Sequence, residues 1–198
     1  MKRKVLLLVL STIIVCLICS SACAQSWSVP NNHSSGSSNH SYGFGITVKL
    51  IEDLATRSGP STSYTGCGTY RLNGQYVTAL SRAYDDGGVL WVEVEFSYNG
   101  GYRRAWTGAK RLDISTSQLK KLRDEDSMSF IGYGTVNARV APRFGPDSLY
   151  ASYGDRDYYR GDRVAVIAVE NNYYLVESYH TDGKILRSWI PCEKVNFD

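Results

Sequence analysis

Cysteine, proline and histidine are all scarce in this 198-residue chain, and uninterrupted apolar stretches are scarcer still. Of five cysteines, Cys16, Cys19 and Cys23 fall within the first 24 residues, which leaves only Cys67 and Cys192 beyond them. One thiol in each half allows no bridge within a half and no metal-ligand spacing, so neither a disulfide framework nor a zinc site is expected. A Cys67–Cys192 bond between the halves and a pair of free thiols both remain open. The one apolar run, Val5 to Cys19, falls short of the roughly 18 residues that a spanning helix needs. Walker and dinucleotide glycine patterns are missing as well. Histidine, the usual partner of a catalytic cysteine, is down to His33, His40 and His180.

The scarcity of acid is confined to the start. Residues 1–24 carry Lys2, Arg3 and Lys4, then the apolar run, then Ala22-Cys23-Ala24. That order is the pattern of a cleaved secretory signal, with the mature chain starting at Gln25. Lipidation at Cys23 is the alternative, but the residue three positions ahead is Ser20 rather than a bulky aliphatic. Once the three basic residues leave, the mature chain balances at 19 basic against 19 acidic residues. A neutral protein has no electrostatic attraction for nucleic acid or anionic membranes, so neither is expected as a partner. Residues 25–44 are rich in serine, asparagine and histidine and read as a flexible linker.

From Gly45 the chain is full of what the leader lacks. Arg57-Ser-Gly-Pro-Ser-Thr-Ser-Tyr64 returns 86 positions later as Arg143-Phe-Gly-Pro-Asp-Ser-Leu-Tyr150. A shared Arg-x-Gly-Pro-x-Ser/Thr-x-Tyr phrase at that distance indicates a duplicated module. The apolar period is two rather than 3.6. Leu90, Val92, Val94, Phe96 and Tyr98 alternate with Trp91, Glu93, Glu95 and Ser97, predicting a strand with one buried face. Asn99-Gly100-Gly101 supplies a tight turn, and Tyr102–Thr107 returns antiparallel. A hairpin around Asp182-Gly183 repeats this, and an offset of 83 lays Arg104 on Arg187 and Trp106 on Trp189. Residues 115–127, opened by a capping serine at Ser115, predict a connector. The modules are then 45–114 and 128–198. Domains of about 65–70 residues bury only roughly 60 per cent of their unfolded surface, so the two are expected to pack together.

The repeated turn preceded by Leu54-Ala-Thr, the Trp91-x-x-Val94 strand, and the ending Ser188-Trp-Ile-Pro-Cys-Glu-Lys-Val195 resemble bacterial SH3 domains. The resemblance implies an all-β chain of two tandem SH3-like small β-barrels, placed after a cleaved signal peptide and a flexible linker. It implies a secreted or cell-surface protein that binds bacterial cell wall, meaning peptidoglycan peptide or glycan. A surface-protein partner, or a role as accessory subunit of a wall hydrolase, is the alternative. The first copy departs at Thr107-Gly108, where the second has Ile190-Pro191. The second lacks a tryptophan opposite Trp91 and offers Tyr173 or Tyr174 instead.

Catalysis has little to work with. Hydrolysis of wall polymers needs a Cys–His pair, a zinc site or paired carboxylates, and Asp85-Asp86 and Asp155-Arg-Asp157 have the look of turn residues. No catalytic residue, metal or cofactor is expected. What is abundant is tyrosine: all 15 lie between Tyr42 and Tyr179. Aromatic rings with polar tips suit binding surfaces. The candidate ligand-binding set is Tyr64, Trp91, Tyr102, Arg104, Trp106, Tyr150, Tyr174 and Trp189, with Trp91 an exposed platform if the face it shares with Glu93 and Glu95 is outside. Arg57, Gly59, Pro60, Arg143, Gly145 and Pro146 are expected to set the repeated turn, glycine through freedom in φ and proline through fixed φ.

Overall fold

The computed structural model describes residues 45–125, 130–154, 156–180 and 182–198. The expected signal peptide and linker lie outside these residues, as does part of the connector. The described chain is all-β: thirteen strands against one four-residue α-helix, α1 (Thr116–Leu119). Among the described residues no helix is long and apolar enough to cross a membrane.

Two curled, almost wholly antiparallel sheets carry the fold. The first is built from β1 (Ile46–Leu50), β2 (Leu54–Arg57), β3 (Gly66–Tyr70), β4 (Tyr76–Tyr84), β5 (Leu90–Tyr98), β6 (Gly101–Gly108) and β7 (Leu112–Asp113). Their order is β3-β2-β6-β5-β4-β1-β7, with β8 (Arg123–Asp124) added parallel to β4. The second runs β12-β11-β10-β9-β13, from β9 (Gly132–Val136), β10 (Arg163–Glu170), β11 (Tyr173–Tyr179), β12 (Ile185–Pro191) and β13 (Val195–Phe197). Alternation places Val48, Leu50, Val77, Ala79, Val92 and Val94 inside the first sheet's curl. Val136, Val164, Val166, Val176 and Ile190 are the corresponding buried set of the second. β-branched side chains fill such pleated, enclosed faces well.

Strand pairing resolves the register of the duplication. Glu95 pairs with Arg104 and Glu177 with Arg187, so β5 maps onto β11 with an offset of 82 while β6 maps onto β12 with 83. The residue matching Trp91 is therefore Tyr173 rather than Tyr174: Trp91 faces Gly108 and Tyr173 faces Pro191. Ala79 matches Val166, each followed by an equivalent bulge, so β4 maps onto β10 with an offset of 87. The length difference thus concentrates between these strands. The first copy spends Asp85–Val89 on the loop, whereas the second turns on Asn171-Asn172, both at positive φ. Both copies end in a 3₁₀ turn, Ala109–Arg111 and Cys192–Lys194, opened by Gly108 and Pro191 respectively. The Thr107-Gly108 departure leaves that turn intact.

The two repeated phrases fold alike. Arg57 donates Nη1 to the carbonyls of Thr62 (3.2 Å) and Tyr64 (2.7 Å), and Arg143 does the same to Ser148 (3.0 Å) and Tyr150 (2.7 Å). The glycines serve another purpose than expected. Neither Gly59 nor Gly145 has positive φ. A Cβ on either would lie 2.2 Å from the ring of its own motif tyrosine, Tyr64 or Tyr150. Glycine is required because the ring lies against its Cα. Gly145→Ala is expected to force the buried Tyr150 ring away and to cost about 1–3 kcal/mol, the usual range for overpacking. Urea unfolding of the variant measures it. An unchanged midpoint contradicts the account.

Candidate functional site

Residues 45–196 fall within one compact unit, so the contacts between the two copies belong to a single body. Those contacts consume most of the expected binding residues. The hydroxyl of Tyr64, in the first copy, donates to Glu177 Oε1 of the second at 2.7 Å. Arg187 completes the group: Nε reaches the same carboxylate oxygen at 2.8 Å, Nη2 reaches the Tyr64 hydroxyl at 3.3 Å, and the guanidinium sits 5.2 Å over the ring. The mirror arrangement links Tyr150 of the second copy to the first. Its hydroxyl donates to Glu95 in a short bond, while Arg104 Nε bonds Glu95 at 3.0 Å and the tyrosine oxygen at 3.1 Å. Arg104 likewise lies 5.2 Å over that ring. Each copy thus inserts its motif tyrosine into an Arg–Glu pair on the other's hairpin.

Backbone pairing repeats the exchange. Thr65 N–H donates to Ile185 O (2.9 Å) and Ile185 N–H to Ser63 O (3.1 Å). At the equivalent place Ala151 N–H donates to Tyr102 O (3.0 Å) and Tyr102 N–H to Leu149 O (3.4 Å). Tyr102 is half-buried with its ring tilted 6.3 Å from Tyr150. Trp106, Trp189 and Tyr174 are all buried. The space left between the copies, beside Trp106, Trp189, Phe144 and Tyr153, is only about 10 Å³, near the volume that admits a single water.

Trp91 is not an exposed platform: it is 8% exposed, packed with Ala83 and Trp106. Its indole N–H donates to Asp85 Oδ2 at 3.0 Å and so braces the long β4–β5 loop that the second copy lacks. That bond, with the Val89 and Gly87 amides, holds the Asp85 carboxyl below its ordinary range. The prediction of one buried face failed because Trp91–Phe96 is buried throughout. One face meets the first copy's own core, and on the other Glu93 and Glu95 enter the seam with the second copy. Both cysteines are free, so no Cys67–Cys192 disulfide forms. Burial pushes the Cys67 thiol up to about 12, which leaves it protonated beside its hydrogen-bond partner Tyr153.

Sequence reasoning missed the charged seam. Arg104 also holds Glu170 through Nη1 (3.1 and 3.2 Å), and Arg187 holds Glu125 of the connector at 3.0 Å. Arg123 lies 2.8 Å from Glu125 and 3.8 Å from Glu93, which in turn accepts from Ser81 Oγ at 2.8 Å. Glu93, Glu95, Glu125, Glu170 and Glu177 thus gather around the guanidiniums of Arg104, Arg123 and Arg187. The alternation sets the Glu93/Glu95 face opposite the apolar one, and nothing local marks it as a docking surface.

A wider concavity lies on the first copy. A groove of about 710 Å³ runs over the β2–β3 ribbon. It is lined by Ala55, Thr56, Arg57, Thr62, Gly66, Gly68 and Thr69 of that ribbon and its turn, and by Val89–Trp91 and Gly108–Arg111, two segments joined where Trp91 pairs with Gly108. Its size suits a small ligand or a short peptide. Of the expected binding residues, it takes only Trp91. Among the described residues no cluster of histidine, cysteine and acidic side chains is arranged to hold a metal. Comparison with known protein families, with curated proteins and with solved structures finds no match to this chain.

Glu125 provides a test of the seam. Burial and then the neighbouring Glu93 raise its folded pKa above the ordinary glutamate value, despite the two guanidiniums. A carboxyl whose folded pKa exceeds its unfolded one binds protons more tightly when folded. Its contribution is fully present below the unfolded pKa and is lost as pH rises through the folded one. Wild type is expected to lose more stability than Glu125→Gln between pH 4.5 and pH 8, read from urea midpoints. A steeper loss in the variant contradicts this.

Proposed function

We propose that this is a secreted, non-catalytic binding protein made of two SH3-like units, which attaches to the bacterial cell wall through the groove of its first unit. The observation that carries the reading is the division of labour between copies. The aromatic and charged residues that looked like ligand contacts are spent on fixing one copy to the other, while a 710 Å³ groove stays open beside them. A rigid groove binds with less loss of conformational freedom than a mobile one, which favours affinity. The signal-like leader supports export of such a groove, and wall peptide and glycan are abundant polymers outside the bacterial cytoplasm. The chemistry left to this site is recognition: hydroxyls of Thr62 and Thr69, apolar surface on Val89 and Leu90, and the cations Arg57, Lys110 and Arg111.

A second reading, attachment to an extracytoplasmic protein, draws on a different surface. Phe130, Ile131 and Tyr133 are each about half exposed at the start of β9, with the two rings edge to face at 4.9 Å. Exposed apolar groups clustered in this way mark protein contacts.

Pelleting with purified peptidoglycan separates the two. The mature chain is expected to sediment with the wall at physiological salt, and Gly66→Leu, which adds a large side chain to the groove lining, to stay in the supernatant. Wild type that remains soluble across pH and salt overturns the wall reading. Loss of pelleting in a Phe130→Ser, Tyr133→Ser double variant with Gly66→Leu unaffected transfers the role to the aromatic patch.

A further inference from the structure

The duplication supplies an internal comparison for every residue of the groove. Gly66 and Gly108 have no positive φ, and a Cβ on Gly66 would meet nothing within 4 Å. On Gly108 it would only touch Lys110 Cγ at 4.0 Å. Neither backbone geometry nor packing asks for glycine there. The second copy makes the same point, with Ser152 where the first has Gly66 and Pro191 where it has Gly108. Glycine without a structural reason is an entropic cost, and it leaves backbone bare for the close approach of another chain.

Charge differs between the copies in the same place. The groove is lined by Arg57, Lys110 and Arg111 and by no carboxylate. Arg111 is paired with Glu52 at 2.7 Å. Arg57 bonds only carbonyls, and the exposed Lys110 has no partner among the described residues, so two positive charges go uncompensated. The second copy has Glu193 and Lys194 where the first has Lys110 and Arg111, and those two pair with each other at 3.2 Å. Two cations with no carboxylate partner among the described residues therefore line this groove, where the second copy places a carboxylate. Opposite charge on the ligand is the complement.

Resting on the wall-binding reading, we propose that only the first copy binds, and that its ligand is an extended wall peptide carrying a free carboxylate. The peptide lies over Gly66 and Gly108, its side chains against Val89 and Leu90, and its carboxylate meets Lys110 beside Arg57. The second copy serves as the clamp that holds this groove in shape.

The test uses the full mature chain with two preparations of one purified peptidoglycan. One is untreated, and in the other carbodiimide and ammonia have converted free carboxylates to amides. Amidation is expected to raise the wall concentration for half-maximal pelleting at least tenfold. Lys110→Glu should do the same on untreated wall, while Glu193→Gln at the matching position of the second copy should change nothing. Lys110 is exposed, so the variant's thermal melt should match wild type and exclude misfolding. Equal pelleting on both walls, or an unaffected Lys110→Glu protein, overturns the carboxylate proposal and leaves wall binding standing. A twofold or smaller effect of Lys110→Glu beside a large effect of Glu193→Gln overturns the assignment to the first copy. Failure of wild type to pellet with either wall overturns the reading beneath it and this proposal with it.

Discussion

Two tyrosine hydroxyls, Tyr64 and Tyr150, each enter an arginine–glutamate pair belonging to the other half of the chain, and the rest of the structure is arranged around those insertions. Taking Arg104 or Arg187 out of water is costly unless every donor finds an acceptor. The cross-over tyrosine closes each set: it donates to the carboxylate and accepts from the guanidinium. A hydrogen bond to a charged group contributes about 1.5–3 kcal/mol, and removing one partner costs more because the remaining charge is left buried. The insertions therefore act on orientation as much as on stability, since only one relative placement of the halves satisfies both at once.

Local features follow from that constraint. The motif tyrosine must leave its loop at a fixed angle, so its ring lies flat on the preceding glycine Cα and the motif arginine closes the loop from behind. Strand β5 must carry core side chains on one face and Glu93 and Glu95 on the other, which is why it is buried from Trp91 to Phe96. The connector contributes as well: Glu125 answers Arg187 where Glu170 answers Arg104, so the pseudo-symmetry of the tyrosines does not extend to the outer carboxylates. With two small sheets sharing one seam, each covers surface that neither could bury alone.

Much of the architecture was legible in the chain. Alternating apolar residues gave the strands, Asn99-Gly100 and Asp182-Gly183 gave the hairpins, and the recurrence of Arg-x-Gly-Pro gave the duplication, because each is a local signal. The register of Tyr173 was not legible. It depends on how many residues the β4–β5 loop and the hairpin turn each absorb, and compensating changes of length look alike in sequence. The candidate site was read with the right residues and the wrong role. Tyr64, Arg104, Trp106, Tyr150 and Trp189 do form an aromatic and charged contact surface, but its partner is the other half of the same chain. Composition cannot distinguish a ligand from a tandem copy. The groove itself was invisible, since its lining includes Gly66 and Gly108, whose meaning appears only when the second copy's Ser152 and Pro191 stand beside them.

Cooperativity is the property that the reciprocal insertions should confer, and calorimetry of the protein reads it directly. The account predicts one melting transition whose calorimetric enthalpy equals the van't Hoff enthalpy, and a separation into two in a Tyr64→Ala, Tyr150→Ala double variant. Two independent transitions in the wild-type protein would contradict it.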